Sequence, residues 1–410
     1  MSTTVGNLKL TQDIERSIVQ LRHTLHRFPE LSHQEQNTKK ILLGAIKKLH
    51  LKITEVPNSV GFFVDLESNS SKSFVALRAD MDALPVTEKN KIDFRSKVKG
   101  KMHACGHDGH MAMVYGAMLI LNKHRDYLGT GVRFIFQPAE EEATRGGARE
   151  MIEGGCLNRV SFIVGIHMWP ELREGYVGYR IGPFFAGLNK FTIEIKGGKT
   201  HFARPDLASP NSIYIANQII SSLDSIINRR SYPWAPFRVN ISRVEGTPEK
   251  TKITGTIAYT LPDSSRLAIM PQFDFDKVKK SIDAVSRNIA SASGTVAKVV
   301  FDIGYPPLVT DRDATEVAIQ AIERILGEGH AIPVDMTLGG EDFSLYLQKV
   351  PGTYILMGTN NKELGYESML HTSTFNFSDK VLPIGSLILA EIAKSASQIY
   401  RNQLSDAIGH

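Results

Sequence analysis

Near the start of the chain Ile14, Ile18, Leu21 and Leu25 recur every three or four residues, the spacing of one apolar stripe on a helix. Phe28-Pro29 closes that stripe, because proline removes a backbone donor and crowds the preceding turn. Ser32, with Glu35 three residues later, has capping-box spacing and predicts a second helix over about 33–49. The rhythm then changes to short apolar runs at 61–66, 74–77, 132–136 and 162–166. Each is of strand length, is bounded by glycine or polar residues, and is separated from the next by helical patterns. That alternation predicts an α/β fold built on a largely parallel or mixed sheet.

From about 185 to 304 the order of elements differs: a strand at 191–195, a helix at 209–229, strands at 237–244 and 251–260, a helix at 273–292 and a strand at 297–303. This βαββαβ order is the ferredoxin-like, split-βαβ arrangement. Helical patterns resume at 313–326 and 384–400, flanking a strand at 354–357. The expected organisation is a two-domain chain. An α/β domain made of 1–184 and 305–410 is interrupted by a smaller α+β domain at 185–304.

Composition narrows the picture without changing it. At 410 residues, 42% hydrophobic and 22% charged, the chain is ordinary globular material with room for a large core. Two cysteines, Cys105 and Cys156, are too few for a disulfide framework. The net charge of +5 arises from 48 basic and 43 acidic residues in no blocks, so no nucleic-acid partner is expected, and Arg229-Arg230 reads as the solvated end of a helix. No apolar run approaches the roughly 18 residues that span a bilayer, and the first ten residues lack the apolar core of a signal peptide. The expectation is a cytoplasmic protein without a membrane partner.

The chemistry concentrates in four stretches. Met102-His103-Ala104-Cys105-Gly106-His107-Asp108-Gly109-His110 packs thiol, imidazole and carboxylate together, and Cys105 and His107 are the ligand types that zinc and other borderline metals prefer. Met111, Val114, Met118 and Leu121 place an apolar face on the helix that follows. Gln137-Pro138-Ala139-Glu140-Glu141-Glu142 puts adjacent carboxylates where a strand ends, so one can bind metal while its neighbour works as a general base. His167 falls just past the run 162–166, and His371 lies in a turn-rich segment after 354–357. Ligands in open α/β sheets bind beyond the carboxyl ends of strands. Cys105, His107, Glu141, His167 and His371 are too many donors for one tetrahedral ion and suit a two-metal site, with ions roughly 3.5–4 Å apart.

With these residues in hand the sequence resembles the amidohydrolase branch of the aminoacylase and carboxypeptidase metallopeptidases, which includes hippurate and auxin-conjugate hydrolases. The resemblance runs through Leu25-His26 to Ser32, Leu77-Arg78-Ala79-Asp80-Met81-Asp82-Ala83-Leu84-Pro85, the Cys-Gly-His-Asp-Gly-His stretch, Gln137 to Glu141, Gly165-Ile166-His167 and Gly340-Glu341-Asp342-Phe343-Ser344. It implies metal ligands at Cys105, His107, Glu141, His167 and His371, a general base at Glu140, and supporting roles for Asp80 and Asp82. It also implies that the insertion is a lid. His201, in Gly197-Gly198-Lys199-Thr200-His201-Phe202-Ala203-Arg204-Pro205, would meet the tetrahedral intermediate when that lid closes, with a homodimer or higher homo-oligomer formed through the lid. Two divalent ions follow, zinc first, with manganese, cobalt or nickel as the other choices.

The sequence departs from the family in the insertion. The run Val244 to Thr251 is short and lacks the family's asparagine, and Ala258 stands where arginine is expected after Gly255-Thr256-Ile257. The expected activity is hydrolysis of amide bonds in N-acyl-amino acids or short or blocked peptides. The alternatives are a metallocarboxypeptidase and a catalytically silent binding module. His23, His26 and Cys156 read as structural residues.

Overall fold

The computed structural model describes residues 3–5, 8–68, 73–142, 146–199, 203–204, 209–231, 236–262 and 274–408. After a short antiparallel pair of strands, Thr3–Val5 and Leu8–Leu10, come α1 (Gln12–Arg27) and α2 (Gln36–Ile46), followed by β1 (Lys52–Glu55), β2 (Phe62–Leu66) and β3 (Phe74–Asp80). Next come α3 (His107–Lys123), β4 (Gly131–Gln137), α4 (Gly147–Glu153), β5 (Val160–Arg173) and β6 (Val177–Tyr179). The middle of the chain forms β7 (Gly182–Lys196), α5 (Ser212–Ser222), β8 (Phe237–Thr247), β9 (Lys250–Tyr259), α6 (Phe275–Ala292) and β10 (Ala297–Phe301). It ends with α7 (Arg312–Leu326), β11 (Ala331–Pro333), β12 (Gly352–Asn360) and α8 (Val381–Ile408). Among the described residues no helix is long and apolar enough to cross a membrane.

The chain divides into two compact units, one of Met1–Ile181, Thr310–Asp335 and Leu345–His410, the other of Gly182–Val309 and Met336–Ser344. The second unit therefore takes in 336–344 as well as the interruption itself.

The first unit is built on an eight-stranded sheet ordered β11-β6-β12-β5-β3-β4-β2-β1. Its centre, β12, β5, β3 and β4, is parallel, and β2 and β1 add antiparallel partners at one side. Strands β2, β3 and β4 are buried at every position, as expected where both faces are covered. Helix α1 buries Ile14, Ile18, Leu21 and Leu25, with Thr11 as N-cap accepting the Ile14 N–H. The face that α3 was expected to bury is only part of what it buries. Its side chains from His107 to Met118 are all buried, because the helix lies beneath α1 and α8 as well as over the sheet.

The second helix is shorter than predicted, ending its α-helical part at Ile46, and the capping box is not made. Glu35 is the N-cap residue but its side chain makes no cap bond, and Ser32 donates its hydroxyl to Asp82 at 2.7 Å instead. Strand β5 also runs past the predicted end, through His167 to Arg173, so that histidine projects from within a strand.

The second unit has an antiparallel sheet ordered β8-β9-β7-β10, with α5 and α6 packed on a core that includes Phe191, Ile193, Ile219, Ile253 and Ile282. The observed βαββαβ order is the ferredoxin-like one. Only Pro248 and Glu249 separate β8 from β9, which accounts for the short run between Val244 and Thr251. Ala258 pairs with Arg238 on β8 and Leu188 on β7.

Close approach of α3 to its neighbours rests on Gly116. A Cβ there would lie 2.2 Å from Ser386 Oγ and 2.5 Å from Ile18 Cδ1, so any side chain must push α8 or α1 away. Gly116→Val is expected to lower the urea unfolding free energy by about 1–3 kcal/mol. A change within about 0.5 kcal/mol, typical of unconstrained surface sites, would contradict that packing.

Candidate metal centre

The ends of β3 and β4, the middle of β5, the start of α3 and the turn at His371 carry the candidate donors, all within the first unit. Strand β3 finishes at Asp80, which is fully buried. Arg78 Nη1 donates to Asp80 Oδ2 at 2.6 Å, and His110 Nδ1 donates to Asp80 Oδ1 at 2.7 Å. Burial alone would raise this carboxyl, but the charges of His107, His110 and Arg78 hold it well below the usual carboxylate range. His110 Nε2 accepts the Met168 N–H at 2.9 Å, so one imidazole braces both Asp80 and the strand that carries His167. Sequence reading counted His110 in the motif without giving it this role. Its spacing of three from His107 on α3 was the available signal.

The turn before α3 is made by Gly106, whose φ of +89° lies in the left-handed region that favours glycine. A Cβ there would sit 2.8 Å from Met168 Cγ. With no side chain in the way, Cys105 and His107 reach the same space from either side of the turn. His107 Nδ1 donates to the Asp82 carbonyl at 2.8 Å and lies 3.2 Å from Asp82 Oδ1, leaving Nε2 to face inward. Asp82 Oδ2 also accepts the Glu141 N–H at 3.0 Å. Asp82 is held below the ordinary carboxylate range because, against the cost of burial, it gains His107, Ser32 and Glu141 as partners.

His167 Nδ1 donates to the Met168 carbonyl at 2.7 Å, and its Nε2 lies 3.4 Å from Cys105 Sγ. His371 Nε2 lies 3.3 Å from Cys105 Sγ and 3.3 Å from Glu141 Oε1. Glu140 Oε2 lies 4.0 Å, and Glu141 Oε1 3.9 Å, from His107 Nε2. The structure therefore brings Cys105, His107, Glu140, Glu141, His167 and His371 together. His201 lies outside the described residues. The floor of the site is buried, whereas the His371 side chain is 54% exposed and marks its open side.

Donor atoms within 4.8 Å of one another fall into overlapping sets: Cys105 with His107 and His167, Cys105 with Glu141 and His371, and His107 with Glu140 and Glu141. Cys105 belongs to the first two. His107 Nε2 and Glu141 Oε1 are buried and make no hydrogen bond. A buried polar atom left without a partner is costly, and a cation supplies the missing interaction. Burial, with the nearby charges of Glu141, Glu140 and Asp80, pushes the Cys105 thiol well above its ordinary value. The same surroundings favour divalent cations, which deprotonate a coordinating thiol. These donors, with two of their buried atoms unpaired, fit divalent cations.

Beside the site, Asp108 anchors the first turn of α3. Arg22 Nε donates to Asp108 Oδ2 at 3.2 Å, and His26 Nδ1 donates to the same oxygen at 2.9 Å. His26 Nε2 pairs with Glu88 at 3.2 Å. His23 donates to Asp379 at 2.8 Å, and Cys156 is a buried free thiol, which places all three in structural settings. For His26, burial would lower the imidazole pKa, but the charge and hydrogen bond of Asp108, with Glu88, raise it to about 9. A raised folded pKa means stability that is fully present below the unfolded value of about 6.5 and is lost as pH climbs through 9. The stability advantage of wild type over His26→Gln in urea melts should shrink by up to about 3 kcal/mol between pH 6 and pH 10. An advantage that stays constant or grows with pH would refute the pairing.

Comparison with known proteins follows the same lines. Residues 76–395 match the profile of peptidase family M20/M25/M40. The chain is 35% identical to thermostable carboxypeptidase 1 of Saccharolobus solfataricus, over 93% of this chain and 96% of the relative. It is also 35% identical to N-acetylcysteine deacetylase of Bacillus subtilis, over 92% of this chain and 96% of the relative. Among solved structures, the YXEP protein of Bacillus subtilis, described as a dinuclear metal binding peptidase of the M20 family, matches with a TM-score of 0.76 and 32% identity. That match covers 95% of this chain and 99% of the other.

Proposed function

Because this chain belongs to peptidase family M20/M25/M40 and is a metal-dependent amide hydrolase with two divalent ions, we propose that Cys105, His107, Glu141, His167 and His371 would hold those ions in the cleavage of N-acyl-amino acids. His107 and His167 complete one donor set and Glu141 and His371 the other. The convergence of three imidazole nitrogens and one carboxylate on a single buried sulfur carries this reading. When bound, the ions acidify a water and polarise the substrate carbonyl. Zinc is our first assignment, because thiolate and imidazole together suit it best.

Glu140 does the proton work. Its carboxylate takes a proton from the water that adds to the amide carbonyl, and returns it to the nitrogen as the C–N bond breaks, releasing the acid and the amine. Asp82 takes the His107 Nδ1–H, so that Nε2 is the nitrogen that would give up its proton to a cation, and ties the backbone of Glu141. His201 is assigned to the oxyanion on the resemblance of 197–205 to the family's lid turn. That reading treats the second unit as a lid and homodimer surface, supported by its edge strand β10 with Val300 exposed on it. The two free, buried cysteines suit the reducing cytoplasm. A second reading, release of C-terminal residues from short peptides, is favoured by the equal identity to a carboxypeptidase.

The test is hydrolysis of a panel of N-acetyl-, N-aroyl- and benzyloxycarbonyl-amino acids and short peptides by wild type and Glu140→Ala, with metal content measured on both. Wild type should hold about two metals and turn over an N-acyl-amino acid, and lose activity to chelator. Glu140→Ala should keep its metals and lose about 100-fold to 10,000-fold in kcat. Activity retained by Glu140→Ala would remove the base assignment. Preference for peptides would select the carboxypeptidase reading, and a fully loaded but inert protein would favour a silent module.

A further inference from the structure

The Glu35 side chain is fully buried at the start of α2, yet it serves a residue 104 positions away: Oε1 accepts the Ala139 N–H at 2.8 Å. Ala139 has φ of +52°, a left-handed conformation that costs an L-residue roughly 1–2 kcal/mol. It stands immediately before Glu140 and Glu141, so the direction of the chain at Ala139 decides where both carboxylates point. The rest of this turn is fastened as well. The Ala139 carbonyl accepts the Gly147 N–H at 3.2 Å, and a Cβ on Gly147 would lie 1.9 Å from the Pro138 oxygen. The Glu141 N–H goes to Asp82, which the Ser32 hydroxyl also holds. Two of these ties act on the strained residue itself, and Glu35 supplies the shorter one, at the Ala139 N–H.

We propose that Glu35 is a positioning residue of the metal centre: its carboxyl oxygen holds the Ala139 N–H and so keeps the left-handed turn that aims Glu140 and Glu141. This rests on the roles given to those two residues above. Burial and the charge of Asp82 push the Glu35 carboxyl up to about 8, so the neutral acid predominates at pH 7 and its task is to accept a hydrogen bond rather than carry charge. An amide can do the same. A leucine of similar volume cannot, and would leave a buried N–H unpaired.

Three variants, Glu35→Gln, Glu35→Leu and Glu35→Leu with Ala139→Gly, separate aiming from mere packing. Each is to be titrated with Co²⁺ and followed by visible absorption, assayed on the best panel substrate, and melted. Glu35→Leu should lower kcat by about 30-fold with KM within about threefold, and weaken the second Co²⁺ by about tenfold with an altered spectrum. Glu35→Gln should stay within about fivefold of wild type in both readouts. Glycine adopts positive φ without strain, so Ala139→Gly should restore about tenfold of the loss. Wild-type kcat and Co²⁺ affinity in Glu35→Leu, or equal impairment of the Gln and Leu variants, would overturn the proposal. If Glu35→Leu does not fold, Glu35→Gln decides alone: a folded protein with disturbed Co²⁺ binding overturns it, and undisturbed binding supports it. Co²⁺ binding does not depend on turnover, so a failure of the Glu140 assignment would show in Glu140→Ala while leaving this series readable.

Discussion

The site is governed by a charge imbalance that the protein alone does not relieve. Asp80, Asp82, Glu140, Glu141 and the Cys105 sulfur gather in one mostly buried space where Arg78 is the paired guanidinium. In that setting the thiol resists ionisation, His107 is driven up to about 10 by Asp80 and Asp82 against the cost of burial, and His107 Nε2 and Glu141 Oε1 stay without hydrogen bonds. Divalent cations resolve these tensions at once: they accept the lone pairs, permit a thiolate, and neutralise the carboxylates. Cys105 is common to two of the donor sets, one with His107 and His167 and one with Glu141 and His371.

The fold meets this demand by rigid delivery. The parallel strands end side by side, so Asp80 and the 138–141 turn arrive together, while Gly106 starts α3 with Cys105 and His107 on either side of its turn. Outside the ligands, a ring of fixed tautomers sets direction: His107 and His167 each donate Nδ1–H to a carbonyl, and His110 links Asp80 to Met168. Asp108, the residue after His107, is pinned by Arg22 and His26 from α1. The exposed His371 side chain marks the open side of this centre.

Much of this was legible in the chain because ligand chemistry and strand ends are local signals. Cys105 and His107 sit in one motif, and Glu140 and Glu141 directly follow an apolar strand. The α/β alternation and the ferredoxin-like interruption were equally plain from apolar periodicity. What the sequence hid were long-range uses of ordinary-looking residues. Ser32 and Glu35 have the spacing of a helix cap, but Asp82 and the Ala139 N–H are stronger partners, so the cap is not made. The run 162–166 looked like a whole strand, yet β5 continues through polar His167 because β12 pairs alongside it to Asn360. Helix α3 showed one apolar face in sequence and buries nearly all of itself, since its small residues admit helices above it.

The proposal that the Cys105 sulfur would serve both donor sets is tested most directly by X-ray absorption on the metal-loaded protein, compared between wild type and Cys105→Ser. The account predicts about two metals per wild-type chain, each with a single sulfur neighbour and the other metal in its second coordination distance. Both sulfur signals should vanish together in Cys105→Ser. A spectrum with no sulfur at either metal, or with sulfur at one metal alone, would contradict it.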